Sequence, residues 1–206
     1  MARSPCIDSP FIELAGTDRQ QLLDIARASI KHGLTAHQPL QLKTYSLSDP
    51  LKEAKGSFVT ISQSGRLRGC MGSLEAKLPL AQAVADNAFN AAFKDTRFPR
   101  MRPVELEMTH IEVAILSIPE LITSATEAEL IAALNPYKDG LVLEDNGYRS
   151  TFLPKVWEKL PDSQDFIREL KIKAGLPADY WSATLRFYRY GTLAFEDQPV
   201  KNSKSN

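Results

Sequence analysis

Apolar residues recur along the first part of the chain with the spacing of helices. One apolar face predicts a helix from about Asp18 to His32, capped by Thr17 or Asp18 and ended by Gly33. Its residues are Leu22, Ile25, Ala26, Ser29 and Ile30. A second helix is predicted in LPLAQAVADNAFNAAF, which Pro79 can begin because its missing N–H leaves no hydrogen bond unmade. The small apolar residues of this helix would let it lie close against a sheet.

Alternating and β-branched stretches predict strands, several of them in hairpins. SFVTIS, the turn QSG and RLRGCMG form one hairpin pattern. GLVLEDNGYRSTFL forms another, because Asn146-Gly147 favours a type I′ turn. THIEVAILS has the two-residue period of a strand, and TLRFYRYGTLAFE is predicted to close the chain as a strand or a bent strand.

Three further helices are predicted from their end signals. TEAELIAAL begins with a capping box, Thr126 and Glu129. LPKVWEKL and DSQDFIRELKIKAGL are short helices, the second capped by Asp162 and followed by Gly175, and Trp157 and Phe166 are expected in the core. Helices that interleave with hairpins predict an α+β fold, with mostly antiparallel, hairpin-rich sheets flanked by helices.

The composition argues against several classes of protein but does not assign a function. Lys+Arg and Asp+Glu number 25 each, so there is no basic surplus of the kind that binds nucleic acid. Two cysteines provide neither a disulfide framework nor paired zinc ligands. The start lacks an apolar stretch long enough for a signal peptide, and no run is long enough for a membrane span. We therefore expect a cytoplasmic protein with no membrane partner, whose ends, 1–10 (with Cys6) and 198–206, are mobile.

Four segments in a fixed order carry a family resemblance: LRGCMGSLEAKLPL, AAFKDTRF, ELEMTHIEVAIL and the stretch from KDGLVLEDNGYRS to IKAGLP. Together they resemble the AMMECR domain family, known in microbes as protein A of the AmmeMemoRadiSam system. The resemblance runs from about Leu22 to Glu196. Two positions depart from the usual motifs: Met71 stands where LRGCIG has isoleucine, and Ala114 stands where relatives often have serine, so no hydroxyl chemistry is expected there.

The resemblance implies a domain over residues 11–197, made of two small α/β subdomains packed as one compact unit, with their internal boundary open. Its genes often accompany a Memo-like protein and a radical-SAM enzyme, which implies a shared pathway with these two partners. The family brings no settled activity, so whether the protein is an enzyme stays open.

The LRGCMG motif contains the candidate chemistry. Strand alternation would put Arg66, Arg68 and Cys70 on one face, with Leu67 and Met71 turned toward the core. A guanidinium about 6–7 Å from the sulfur would favour the thiolate. This predicts a catalytic pair, Arg68 and Cys70; alternatively Cys70 is a half-buried small hydrophobe and Arg68 is held by a carboxylate.

Neighbouring residues extend this candidate site to a binding site. Gly69 and Gly72 allow close backbone approach, either to a ligand or to the Ala-rich helix. Asp95 and Arg97 follow that helix, and Asp95 could pair with Arg68 or Arg97. Glu112 is expected on an uncovered sheet face. The three histidines assemble neither a Cys–His dyad nor a metal triad, so no metal and no cofactor are predicted.

Three functions follow from these residues. The first is the binding or modification of a small, unknown ligand at the Arg/Cys site, in the pathway of the Memo-like and radical-SAM proteins. The second is a non-enzymatic protein-interaction module built on the glycine-rich hairpin. The third, which the charge balance disfavours, is a nucleic-acid-binding regulator.

Overall fold

The computed structural model describes residues 14–43 and 46–197. Cys6 and the ends predicted to be mobile, 1–10 and 198–206, lie outside the described residues. The chain divides into two compact units. The first unit contains described residues 14–116 and 193–197, and the second contains residues 117–192.

The first unit has one face of a four-stranded sheet covered by helices. Its elements are α1 (Gly16–Ala36), α2 (Asp49–Lys52), β1 (Ser57–Gln63), β2 (Arg66–Ser73), α3 (Leu80–Phe93), a 3₁₀ helix (Pro103–Met108), β3 (Thr109–Leu116) and β8 (Thr192–Glu196). The strand order is β2-β1-β3-β8, and β1 pairs antiparallel with both β2 and β3. The core forms where fully buried Val59, Ile61 and Val113 meet the small residues of α3. Strand β2, which carries the LRGCMG motif, is the edge strand of this sheet.

The first helix is longer than predicted. It runs through Gly33 to Ala36 and is capped by His37, whose φ of 58° is left-handed and whose N–H donates to the carbonyl of Gly33. Gly33 is buried, and a Cβ there would lie 2.6 Å from the rings of Phe89 and Phe93. Gly33 therefore serves helix packing and does not end the helix. The predicted cap is also wrong, because Ala15 occupies that position without a side-chain hydrogen bond.

The second unit has its own antiparallel sheet, in the order β4-β7-β5-β6. Its elements are β4 (Glu120–Ile122), α4 (Glu127–Ala133), β5 (Gly140–Asp145), β6 (Tyr148–Phe152), a 3₁₀ helix (Pro154–Glu158), α5 (Ser163–Ala174) and β7 (Arg186–Tyr190). In its core the rings of Trp157 and Phe166 stack, with centroids 3.8 Å apart. Both residues are fully buried, as predicted.

In this unit the turn and the helix caps that the sequence predicts are present in the structure. Asn146 and Gly147 have φ values of 44° and 88°, as a type I′ turn requires. Thr126 accepts the N–H of Glu129, and Asp162 accepts two backbone N–H groups at the start of α5. The last predicted strand is two strands, β7 and β8, which lie in different sheets. The prediction of an α+β fold with antiparallel hairpins is confirmed.

Candidate functional site

The strand that carries LRGCMG contains a β-bulge. Ile61 pairs with Gly69, but the next residue, Ser62, pairs with Leu67, so Arg68 has no partner of its own on β1. One extra residue breaks the two-residue alternation of side chains. Leu67 therefore faces the same side as Ser62 and is 46% exposed, and the prediction that it belongs to the core is wrong. Met71, opposite Val59, packs against the core as predicted.

Arg68 is held by a carboxylate that the sequence did not point to. The side chain is buried, and its Nε and Nη2 donate to the two carboxylate oxygens of Glu105 at 2.9 and 3.4 Å. The hydrogen bond from Arg68 is the main reason that the pKa of Glu105 is lowered, against the opposing effect of burial. Among the described residues, Nη1 of Arg68 is buried without an acceptor. Arg68 is thus bound to Glu105 in the 3₁₀ helix, not to Asp95.

Asp95 and Arg97 bind the backbone of Cys70 on the outer edge of β2. Cys70 N–H donates to Oδ2 of Asp95 at 2.9 Å, and Nη2 of Arg97 donates to the carbonyl of Cys70 at 3.3 Å. The two side chains are also paired with each other, through Nε to Oδ1 at 2.9 Å and Nη2 to Oδ2 at 2.6 Å. Asp95 and Arg97 therefore satisfy the N–H and C=O that Cys70 would otherwise present at the open edge of the sheet.

This arrangement keeps both groups charged. The hydrogen bond from Arg97, with further ones from backbone N–H groups, holds the pKa of Asp95 well below its usual range. The hydrogen bond to Asp95 raises the pKa of Arg97 against the opposing effect of burial, and the charge of Asp95 adds to that increase. The Asp95 side chain is only 4% exposed, whereas that of Arg97 is 57% exposed. Arg97 is thus an exposed cation that contacts the backbone of Cys70.

Cys70 itself is half-buried and lies opposite Thr60. The Thr60 hydroxyl donates to its sulfur at 3.4 Å. Thr60 also pairs with Glu112 on its other side, so the three side chains form a row across one face of the sheet. Glu112, which we expected on an exposed face, is half-buried in this row.

Other atoms of the protein occupy the space where a side chain would lie on Gly69 or Gly72. A Cβ on Gly69 would lie 2.1 Å from the carbonyl oxygen of Ala91 in α3, and one on Gly72 would lie 2.4 Å from the ring of Phe58. Packing against α3, one of the two alternatives for Gly69, is thus observed. A ligand-binding role for the backbone of these glycines stays a prediction.

The structure thus divides the predicted site residues into two groups. Cys70, Asp95 and Arg97 lie together, whereas Arg68 belongs to a separate ion pair with Glu105. Sequence reasoning missed Thr60 and Glu105. Counting residue pairs back from the turn at Gly65 would have put Val59 opposite Cys70, because the bulge at Arg68 shifts the register by one residue. No signal ties Glu105 to a strand that lies 37 residues earlier in the chain.

The charges and hydrogen-bond donors around Cys70, Asp95 and Arg97 suit a small anion more than a metal ion. Nη1 of Arg97 has no acceptor in the part of the chain that the structure describes, and it lies on an exposed side chain that contacts the backbone of Cys70. Within residues 14–43 and 46–197, no cluster of three or more His, Cys, Asp or Glu side chains is arranged to hold a metal ion. In the same residues no helix combines the length and apolar character needed to cross a bilayer.

Comparison with known proteins covers nearly the whole chain. The AMMECR1 family model matches residues 23–195. A protein of Methanothermobacter thermautotrophicus is 32% identical over 189 residues, which are 91% of this chain and 98% of that one. A protein of Methanocaldococcus jannaschii is 34% identical over 84% of this chain and 86% of its own. The crystal structure of an uncharacterized protein from Pyrococcus horikoshii matches with a TM-score of 0.82 and 28% identity, over 91% of this chain and 95% of that one.

Proposed function

Because this chain belongs to the AMMECR1 family, we propose that it is a cytoplasmic protein that binds or modifies a small anionic ligand beside Cys70. We further propose that it acts in one pathway with a Memo-like protein and a radical-SAM enzyme. The supporting observation is the position of Arg97, which buried Asp95 fixes next to the backbone of Cys70 while most of its side chain stays exposed.

The chemistry of this site rests on a fixed cation that contacts the backbone of half-buried Cys70. The carboxylate of Asp95 binds Nε and Nη2 of Arg97, so the orientation of the guanidinium is set before a ligand arrives. Nη1 then remains to donate to a ligand oxygen. If the ligand is modified, the sulfur of Cys70 would be the nucleophile, because the thiolate is the reactive form of a cysteine side chain. Arg68 supports this site as a structural residue, because Glu105 occupies two of its nitrogens.

Alkylation of Cys70 by iodoacetamide tests the proposal. We would use a Cys6→Ser background, which leaves Cys70 as the single thiol of the chain. Arg97→Gln should slow the reaction several-fold at neutral pH, because the charge that attracts the thiolate is removed. Arg66→Gln removes the same charge from the same strand and should leave the rate unchanged. The proposal that Arg97 activates Cys70 would be refuted by an alkylation rate that rises only above about pH 8.5, as for an ordinary thiol. An alkylation rate that is the same in Arg97→Gln as in the background protein would refute it too.

A protein-interaction module is the second candidate, and the exposure of Leu67 on an edge strand favours it. In a pull-down with a purified Memo-like protein, this function predicts that Leu67→Ser weakens the complex while Cys70→Ala does not. The reverse pattern would support the ligand site. The nucleic-acid alternative predicts binding that falls steeply between low and moderate salt, and an absence of binding at low salt would exclude it.

A further inference from the structure

The second unit contains an open concavity that lies outside the site around Cys70. It has a volume of about 360 Å³ and is formed by the turn between β5 and β6 together with the start of β7. Its walls include Glu144, Asp145, Asn146, Tyr148, Thr184 and Arg186. Small-molecule sites in proteins occupy roughly 300 to 1,000 Å³, so this concavity suits a ligand at the small end of that range.

One wall of the concavity is rigid because it is built on a buried carboxylate. Asp145 accepts the hydroxyl groups of Tyr180, Ser182 and Thr184 at 2.8, 2.7 and 2.6 Å. These hydrogen bonds, first that from Thr184, lower the pKa of Asp145, and the charge of Arg186 contributes as well. Asn146 then donates its side-chain N–H to Thr184 at 3.2 Å. The turn and the segment that precedes β7 are thereby joined without any ligand.

Arg186 is held in one orientation by the backbone. Its Nη1 donates to the carbonyls of Ala183 and Leu185 at 2.9 and 3.1 Å. Its Nε and Nη2 make no hydrogen bond to the described residues, and the side chain is exposed. A guanidinium fixed at one end presents its other nitrogens in the geometry that a carboxylate can accept at both oxygens. Arg186 is therefore a preorganised donor, because little side-chain entropy remains to be lost on binding.

The other groups of the concavity restrict the class of ligand. Tyr148, which is 49% exposed, supplies an aromatic wall that can stack with a planar ring. Two acids, Glu144 and Asp145, offset two arginines, Arg149 and Arg186, so the formal charge of these four groups is zero. A polyphosphate or a nucleic-acid backbone would be repelled by the two carboxylates, whereas a single negative charge matches the one preorganised donor.

We propose that this concavity binds a small aromatic monocarboxylate, with the carboxylate on Arg186 and the ring against Tyr148. This site is independent of the proposed function at Cys70, which lies in the other unit. Titration of the full chain with sodium benzoate, followed by amide chemical shifts at constant ionic strength, tests it. We expect saturable shifts at Asn146, Gly147 and Arg186.

Substitutions make the test specific. Arg186→Gln should weaken benzoate binding at least about tenfold, because a hydrogen bond to a charged group is lost. Tyr148→Leu keeps an apolar side chain but should also weaken binding, because the aromatic ring is lost. Arg168→Gln is the matched control, since Arg168 pairs with Asp165 on α5 and does not line the concavity. Melting curves would verify that each variant is folded.

Three results would overturn the proposal. The first is no saturable shift with benzoate at millimolar concentrations. The second is equal affinity in wild type and Arg186→Gln, or an equal loss in the Arg168→Gln control. The third is inorganic phosphate binding at the same residues more tightly than benzoate, which would assign the concavity to another class of anion.

Discussion

Replacing Asp95 by alanine should destabilise the first unit by about 2 to 3 kcal/mol. The substitution leaves the N–H of Cys70 without its acceptor, and a partly buried unpaired N–H costs about 1 to 2 kcal/mol. Arg97 loses its partner as well, but its side chain is 57% exposed and regains water, so this loss adds only about 1 kcal/mol. Asp95→Asn keeps an oxygen for the Cys70 N–H and should cost about 1 kcal/mol.

The assay must report on the correct unit. Both tryptophans, Trp157 and Trp181, lie in the second unit, so tryptophan fluorescence would follow the wrong transition. Amide hydrogen exchange of residues 66–73 reports on β2 directly, and urea unfolding followed by circular dichroism gives the free energy. Asp24→Ala, which removes an exposed acid bonded to Gln20, should change the free energy by less than about 0.5 kcal/mol.

The pH dependence provides a second test of the same reasoning. The pKa of Asp95 is lower in the folded state than in the unfolded state, where it is about 3.9. The stability that ionised Asp95 contributes is therefore fully present above about pH 3.9 and is lost as the pH falls toward the folded-state pKa. The difference in unfolding free energy between wild type and Asp95→Asn should be constant between about pH 6 and pH 8 and should shrink below about pH 4. If Asp95→Ala unfolds within about 0.5 kcal/mol of wild type, or if the difference from Asp95→Asn grows in acid, the inference that Asp95 stabilises the edge of β2 is wrong.

Three other substitutions test the packing and the caps. Gly69→Ala should destabilise the protein by about 3 kcal/mol or more in chemical unfolding, because its Cβ would meet the backbone of α3. Gly16→Ala should not, because no atom of the described residues lies within 4 Å of a Cβ there. Burial raises the pKa of Tyr190 to about 12, so wild type should lose stability as the pH rises above about 10, and Tyr190→Phe should lack that loss. Asp162→Ala should cost about 1 kcal/mol, measured by tryptophan fluorescence, because two backbone N–H groups lose their cap.

The features that sequence could predict are those determined within a few residues. The caps at Thr126 and Asp162 need only a side-chain oxygen beside free backbone N–H groups, and the turn at Asn146-Gly147 needs only two residues that tolerate positive φ. Hairpins follow from such turns because the flanking strands must pair. The antiparallel character of both sheets was therefore predictable without knowledge of the tertiary fold.

The features that sequence could not predict depend on contacts between distant segments. Gly33 carries the usual signal for the end of a helix, but the rings of Phe89 and Phe93 occupy the space beside it and the helix continues. Thr192 begins a new strand in the other sheet only two residues after Tyr190 ends β7. No local pattern distinguishes these outcomes from the expected ones, because each is decided by the element packed against it.

The bulge at Arg68 changes which residues should be tested for chemistry. Regular alternation would place Arg68 on the face of Cys70, and a charge-removing substitution there would seem to test the thiol. In the structure Arg68 is instead buried against Glu105, so its removal would take away the main partner of that carboxylate, leave it only Arg102 among the described residues, and lower stability whether or not the thiol is functional. Arg97 is mostly exposed and bound to the backbone of Cys70, so its substitution can change reactivity at a smaller cost in folding. A comparison of Arg97→Gln with Arg68→Gln therefore separates electrostatic activation of Cys70 from structural support of β2.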